Sequence, residues 1–401
     1  MHDYPALIFT ALLIFVFGLF SKKFEQLPIT PPMVFVAIGA LVSPVGLNLF
    51  ELDANSELVS LITELALILI LFIDASLLEP KTFFHDKKVP LRLLGLGLPM
   101  TMCLGIFLGR LMFPGEDIWL IAIMALCLSP TDAALGQAII KSEKVPEKIR
   151  QWVSVESGLN DGIVLPFILV CIAALTAESS GAGLKYWSMF MLQQLVLGAI
   201  IGSAIGWVGG QLIEAASAKN WMNTTFQRLS ATSLALLCYV GAEFFHGNGF
   251  IAAFFGGLML GVKTSATRDI LQEYGEAEGQ QLSLMVFMGF ALFMIPLALP
   301  YWDFRAVLYA VFSLTIIRML PVFVCLIGLR LETATIGFIG WFGPRGIASV
   351  LYLLIALEEI GTEGNERVLS VVVLTVFLSI FAHGFSAVPL ANRFGRKLKI
   401  L

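Results

Sequence analysis

Long apolar runs separated by short polar segments make up most of the chain between Pro5 and Leu390. Each run is about long enough for a helix to cross the ~30 Å hydrocarbon core of a bilayer, except the short ninth run. The runs cover 5–20, 32–47, 57–78, 91–113, 117–140, 147–177, 186–214, 227–246, 249–262, 279–299, 304–329, 333–357 and 366–390. This pattern predicts an all-α polytopic membrane protein, with about 13 transmembrane helices and no inserted soluble domain.

Composition supports this prediction and excludes other classes of protein. Of the 401 residues, 58% are hydrophobic and 13% are charged, whereas about 25% of the residues of a soluble domain are charged. A soluble enzyme and a disordered chain are therefore excluded, and the net charge of −4 offers no basic surface to a nucleic acid. The five cysteines and four histidines are scattered without metal-ligand spacing, so we expect no cofactor.

The distribution of basic residues predicts the orientation. If the N-terminus lies outside, 19 of the 25 Lys and Arg residues fall in cytoplasmic segments, three in outer segments and three within spans. Such a bias follows the positive-inside rule and supports an odd number of spans. We therefore expect a multi-pass protein surrounded by lipid in a bacterial or archaeal plasma membrane, with the N-terminus outside and the C-terminus in the cytoplasm.

Two predicted helices are interrupted at matching places. The fifth contains Ser129-Pro130-Thr131-Asp132 and the twelfth contains Gly343-Pro344-Arg345-Gly346. Proline cannot donate a backbone hydrogen bond, so each interruption frees backbone carbonyl groups. If helix 7 (186–214) is a connector within a single transporter domain 1–401, then 1–178 and 227–392 form two inverted six-helix repeats. Paired breaks in inverted repeats predict a transport site at the midplane, where broken helices 5 and 12 cross.

Helix 6 presents several oxygen-bearing side chains on one face. Glu156 lies one turn before Asn160, and Ser157 lies one turn before Asp161. These residues, and Asp132 of helix 5, are near the middle of their helices, where ionisable side chains are costly and functional by default. Carboxylate, hydroxyl and amide oxygens suit a hard cation.

A buried carboxylate can exchange one ion for another. In a low-dielectric site it holds either a proton or a metal ion, but not comfortably both, because both neutralise the same charge. The alternative is that the acids only pair with arginines. The central arginines are Arg318 and Arg345, and the central acids are Asp74, Asp132, Glu156 and Asp161. At least two acids therefore remain for a mobile ion.

Taken together, these motifs resemble those of the monovalent cation:proton antiporters, in particular the NhaP-like sodium/proton exchangers with an Asn-Asp pair. The matching segments are 129–133, 156–162, 246–253 and 343–346, and the resemblance covers essentially the whole chain. It implies a thirteen-helix inverted-repeat fold and a homodimer. In many relatives a proline follows the Thr-Asp pair of helix 5, whereas here Pro130 precedes it.

The resemblance also implies roles for single residues. Asp161 would be the shared cation and proton site, and Asp132, Ser157 and the Thr131 carbonyl would complete the coordination. Glu156 would be neutralised by an arginine, with Arg318 favoured and Arg345 second. Asn160 stands where the electrogenic branch has a second aspartate, which implies electroneutral exchange of one proton per cation.

The predicted function is thus antiport of a monovalent cation for a proton by alternating access, without enzymatic activity. The cation is Na⁺ in the favoured interpretation, with Li⁺ or K⁺ as alternatives. A passive cation channel would need a selectivity lining, usually built by several subunits. An intramembrane hydrolase could use Asp132 and Asp161 as a dyad, but this hypothesis explains neither the inverted halves nor Asn160.

Overall fold

The computed structural model describes residues 4–24, 29–49, 57–77, 88–132, 135–136, 139, 142, 144–180, 184–263 and 268–398. This part of the chain is helical and contains no β-strand. The predictions that concern Ala133 fall outside the described residues.

The helices follow the order that the apolar runs predict. They are α1 (Tyr4–Phe24), α2 (Pro31–Val42), α3 (Glu57–Leu77), α4 (Lys88–Met112), α5 (Ile118–Cys127), α6 (Glu147–Ser180), α7 (Leu184–Ala218), α8 (Thr224–Phe244), α9 (Gly249–Lys263), α10 (Arg268–Gly289), α11 (Phe304–Leu326), α12a (Thr333–Trp341), α12b (Ile347–Ile360) and α13 (Glu366–Leu398). A π-helical turn, Leu93–Gly97, lies within α4. Another, Phe290–Met294, continues α10 towards Tyr301.

Several helix ends differ from their predicted positions. The second helix ends at Val42 rather than at residue 47, because Ser43 has an extended backbone with φ −69° and ψ 172°. In contrast, α10 begins at Arg268 instead of 279, and α13 continues to Leu398 instead of 390. The additional turns are rich in polar residues, so hydropathy alone excludes them although they are helical.

Six of the described helices are long and apolar enough to cross a membrane, judged by length and composition. They are Lys88–Met112, Glu147–Thr176, Leu192–Ala218, Ala277–Tyr301, Phe304–Leu326 and Glu366–Gly395. Shorter apolar helices cover Pro31–Val42, Ile118–Cys127 and Gly249–Gly261. Of these shorter helices, α5 ends early because it runs into the break at Ser129-Pro130.

The chain forms two compact units. Unit 1 comprises Met1–Ser56, Lys87–Asn160 and Ser283–Leu401, and unit 2 comprises Glu57–Asp86 and Asp161–Leu282. Each unit takes helices from both predicted repeats, so this division differs from the predicted division at 178 and 227. The two inverted repeats therefore stay a prediction.

Unit 1 contains both broken helices. Buried apolar side chains from α4, α11, α12a and α13 pack together around Leu93, Val322 and Ile339. A second cluster joins α1 and α2 to α10 through Phe17, Phe35 and Met288. The same unit contains a group of buried polar side chains, which is described below.

Unit 2 is packed through glycines. Gly202 and Gly206 of α7 lie against α9 so closely that a Cβ atom would overlap the carbonyl oxygens of Ala252 and Gly256. Another face of α9 packs on α3, where Gly257 meets the Phe72 carbonyl. Small residues at a spacing of four let helix backbones approach in this way. The result is a short α9 held between two longer helices.

Candidate functional site

The breaks in helices 5 and 12 contact each other directly. The N–H of Asp132 donates to the Pro344 carbonyl at 2.8 Å, and the N–H of Ile347 donates to Asp132 Oδ2 at 2.5 Å. Asp132 Oδ1 also accepts the N–H of Leu135 at 3.1 Å. The Asp132 carboxylate therefore caps the N-terminus of α12b, where the helix dipole favours a negative charge. This contact confirms the predicted crossing of the broken helices.

Arg345 donates hydrogen bonds to backbone carbonyl groups at the helix 5 break. Its Nη1 donates to the carbonyl oxygens of Ser129 and Pro130 at 2.9 and 2.8 Å. Its backbone N–H donates to Ser379 Oγ on α13 at 2.7 Å. The residue is completely buried, so one guanidinium group of the twelfth helix satisfies the broken end of the fifth.

Glycines permit this close approach. A Cβ atom on Gly346 would overlap the Asp132 carboxylate, and one on Gly343 would overlap the Arg318 guanidinium. Both glycines have ordinary negative φ angles or extended backbone, so the requirement is for space. The Gly343-Pro344-Arg345-Gly346 motif thus makes room for two charged side chains.

Three polar side chains from the helix 5 break and from α6 form a bonded group. Asn160 Nδ2 donates to Thr131 Oγ1 at 2.7 Å, and Thr131 Oγ1 lies 2.9 Å from Ser157 Oγ. Because the Thr131 hydroxyl accepts from Asn160, its own proton is available for Ser157. All three residues are at least 98% buried, and Asn160 Oδ1 has no hydrogen-bond partner among the described residues.

Glu156 forms a bidentate ion pair with Arg318 of α11. The guanidinium nitrogens lie 2.5 and 2.8 Å from the two carboxylate oxygens, and each side chain is only 3% exposed. Of the two arginines that the sequence left open, Arg318 is therefore the one that contacts Glu156. Parallel N–H···O bonds of this kind fix both groups in position.

Asp161 follows Asn160 in α6 and is also buried, with 8% exposure. It lies one helical turn after Ser157, as the sequence predicts. The helix is continuous from Glu147 to Ser180, so no cap or break in α6 positions this carboxylate.

The described residues contain no group of three or more His, Cys, Asp or Glu side chains that could hold a metal ion. The available ligands are the hydroxyl, amide and carboxylate oxygens on α6 and beside the break. Neutral and singly charged oxygen ligands suit a hard cation of low charge better than a transition metal.

Sequence reasoning missed the polar contacts made by α13. Ser379 Oγ and the ring of His383 lie against the helix 12 break, although His383 had been interpreted as one of four scattered histidines. A usable signal was present: His383 lies in the interior of the apolar run 366–390, where a polar side chain needs a partner.

Comparison with known proteins gives a consistent result. Residues 9–393 match the family described as sodium/hydrogen exchanger, transmembrane. The chain is 26% identical over 365 residues to the K⁺/H⁺ antiporter NhaP of Alkalimonas amylolytica, which covers 90% of this chain. It is 24% identical over 306 residues, 69% of its length, to a Na⁺/H⁺ antiporter of Schizosaccharomyces pombe. The matches span 62% and 65% of the length of these two relatives.

Among solved structures, the sodium proton antiporter MjNhaP1 of Methanocaldococcus jannaschii resembles this fold. The TM-score is 0.79 at 16% sequence identity, over 98% of this chain and 100% of that one. At this identity the likeness concerns the fold, and it confirms the predicted all-helical architecture.

Proposed function

The chain belongs to the transmembrane sodium/hydrogen exchanger family, and from this premise we propose that it is a secondary antiporter that exchanges a monovalent cation for a proton. The cation and the proton compete for Asp161, and alternating access carries either ion across the membrane. The observation that carries the proposal is the buried oxygen group of Thr131, Ser157 and Asn160, adjacent in sequence to Asp161 on α6.

The charges around this group support a single exchangeable site. Arg318 neutralises Glu156 through two short hydrogen bonds. Asn160 is neutral, and Asp132 accepts the backbone N–H of Leu135 and that of Ile347 at the start of α12b. In this proposal the exchangeable charge is that of Asp161 on α6, and a proton or a monovalent cation cancels the same one charge.

The proposed coordination shell uses oxygen ligands of different kinds. The Asp161 carboxylate supplies the charge, while Ser157, Thr131 and Asp132 complete the shell, and Asn160 holds Thr131 in place and offers its unbonded Oδ1. This mixture suits Na⁺, Li⁺ or K⁺. Relatives named for Na⁺ and for K⁺ both occur, so K⁺/H⁺ exchange is the second candidate.

The test is flux in proteoliposomes that contain a pH-sensitive dye. Addition of NaCl should drive proton movement, and parallel additions of LiCl and KCl rank the cations, with choline chloride as the control. A channel would conduct the cation without coupled proton movement, and a hydrolase would move neither ion. Either outcome in the wild-type protein would overturn the proposal.

Charge balance provides an independent check. If one proton exchanges for one monovalent cation, the carrier has the same net charge in both directions. Moving one charge through 100 mV is worth ~2.3 kcal/mol, so any imbalance would appear as voltage dependence. We expect an imposed membrane potential neither to drive nor to slow exchange. A current that scales with transport would contradict electroneutrality.

We further propose that the protein acts as a homodimer in a bacterial or archaeal plasma membrane, with the N-terminus outside and the C-terminus in the cytoplasm. The bias of Lys and Arg towards one side supports this orientation. The two inverted repeats, 1–178 and 227–392 around connector 186–214, belong to the same proposal. Cysteine labelling from each side of the membrane, at engineered positions in the loops, tests the orientation.

A further inference from the structure

The ring of His383 bridges two helices at the helix 12 break. It is 2% exposed in α13, and its Nε2 lies 2.9 Å from the carbonyl oxygen of Trp341, the last residue of α12a. Its Nδ1 lies 3.1 Å from Ser379 Oγ and 2.9 Å from the Ser379 carbonyl. The final carbonyl groups of a helix lack intrahelical partners, so Nε2 satisfies one of them.

Ser379 extends this contact across the break. Its hydroxyl accepts the N–H of Arg345 at 2.7 Å. Together, Ser379 and His383 hold the backbone of the twelfth helix before the break, at Trp341, and after it, at Arg345. Two residues one turn apart on α13 therefore fix both edges of the interruption.

The Trp341 carbonyl oxygen can only accept a hydrogen bond, so Nε2 carries a proton and donates to it. The Arg345 N–H donates to Ser379 Oγ, and Nδ1 contacts both the hydroxyl and the carbonyl oxygen of Ser379. The charged groups that act on the ring are the buried guanidinium groups of Arg345 on the break and Arg318 on α11. The other polar neighbour, the Trp341 indole, is uncharged and bonded to Ser386.

The same network continues to the proposed ion site. The Arg345 guanidinium donates to the carbonyl groups of Ser129 and Pro130, immediately before Thr131. Thr131 in turn is bonded to Ser157 and Asn160. The links are hydrogen bonds and the peptide bond between Pro130 and Thr131, so a displacement at the edges of the helix 12 break reaches the Thr131 hydroxyl.

We propose that His383 is a positioning residue whose Nε2–H, by donating to the Trp341 carbonyl, sets the geometry of the helix 12 break and through Arg345 that of the Thr131 ligand group. The predicted effect on transport rests on the proposed function. The contact itself can be tested separately.

The first test compares His383→Gln, His383→Leu and wild type by hydrogen–deuterium exchange of the segment 341–350 in detergent. Glutamine can extend an N–H donor towards the Trp341 carbonyl, whereas leucine cannot. We expect faster exchange in His383→Leu and near wild-type exchange in His383→Gln. Ser386→Ala is the matched control, because it removes the bond to the Trp341 indole but leaves the backbone contact. Equal exchange in all variants would overturn the proposal, even if the protein transports no ion.

The second test measures cation-dependent proton flux in the same variants. In His383→Leu the apparent KM for the cation should rise about tenfold, the lower end of the usual effect of losing an outer-shell partner, while the maximal rate falls less. His383→Gln should restore the wild-type KM and the wild-type pH profile. A wild-type KM in His383→Leu would contradict the role given to Nε2. A KM in His383→Gln that is raised as much as in His383→Leu would contradict it as well.

Ser379→Ala provides a test that does not depend on the folding of His383→Leu. It keeps the imidazole but removes the acceptor of the Arg345 N–H. We expect it to raise the KM for the cation in the same direction. An unchanged KM together with unchanged exchange of 341–350 would overturn the inference. If wild type itself shows no coupled flux, the proposed function fails, whereas the exchange measurement still decides the role of His383.

Discussion

In unit 1 buried charged side chains join helices that are distant in sequence, whereas in unit 2 glycines lie directly against the backbone of neighbouring helices. Arg345, fully buried, bonds carbonyl groups of the other broken helix, and Arg318 pairs with Glu156. In unit 2, Gly202 and Gly257 bring α9 against the backbones of α7 and α3. The two regions use different forces for close packing within a membrane protein.

The difference has a physical consequence. A buried ion pair contributes little net stability, but removing one partner leaves an uncompensated charge and is expensive. A glycine contact has no such charge, and its loss is steric and local. Unit 1 therefore uses charged side chains where its helices are broken, and unit 2 uses close backbone contacts between its helices.

The largest expected loss of stability comes from removing a charged partner in unit 1. Arg318→Ala leaves Glu156 buried without its partner, so we expect a loss of about 3–5 kcal/mol in stability. Thermal unfolding in detergent measures it, with exposed Arg305→Ala as the matched control. Replacing both partners, Glu156→Leu with Arg318→Met, should recover much of the loss. If Arg318→Ala unfolds like the control while Arg345→Ala is strongly destabilised, the pair of Glu156 and Arg318 is not what stabilises unit 1.

A smaller loss of stability is expected when a glycine at a helix contact of unit 2 is replaced. Gly202→Ala places a Cβ atom against the Ala252 carbonyl, and the helices must separate or strain. Overpacking of this kind costs about 1–3 kcal/mol. Gly18→Ala is the control, because no described atom lies within 4 Å of that Cβ position. Equal unfolding temperatures for the two variants would show that the α7–α9 contact is not as tight as described.

The smallest loss of stability is expected at Asp303 of unit 1, which is exposed, caps α11 and pairs with Arg367. Burial opposes ionisation of Asp303, but the N–H of Ala306 and the Arg367 guanidinium outweigh it and hold the pKa of this carboxyl below its usual range. A lowered pKa stabilises the fold above the unfolded pKa, and this contribution is lost as the pH falls through the folded pKa.

Asp303→Asn keeps the cap but removes the charge. We expect it to lower stability at neutral pH by less than about 1 kcal/mol, since exposed ion pairs contribute little. The difference from wild type should shrink as the pH falls below 4, near the unfolded pKa of about 3.9. Unfolding temperatures measured over this pH range check the prediction, and a difference that grows in acid would refute it.

The sequence predicts much of this fold because its main signals are local. Apolar runs located the helices, and the prolines at 130 and 344 located both interruptions. Helical periodicity placed Ser157 one turn before Asp161 without further information. Such inferences need only neighbouring residues in the chain.

The contacts that the sequence could not decide join residues far apart in the chain. Arg318 is 162 residues from Glu156, and Arg345 is 216 residues from Ser129. From the sequence, either arginine could neutralise Glu156. Only the packing of α11 beside α6 selects Arg318 as its partner. The role of His383 was missed for the same reason, because its partner carbonyl lies 42 residues away, in another helix.

The most direct test of the central claim, competition of cation and proton for Asp161, is cation-driven proton flux in Asp161→Asn proteoliposomes. An amide neither releases a proton nor supplies charge to a cation, so we predict that NaCl or KCl gradients drive no proton movement although the protein remains folded. Asp303→Asn, the same substitution at an exposed position, is the control and should transport like wild type. Wild-type flux in Asp161→Asn would remove Asp161 from the mechanism and contradict the account.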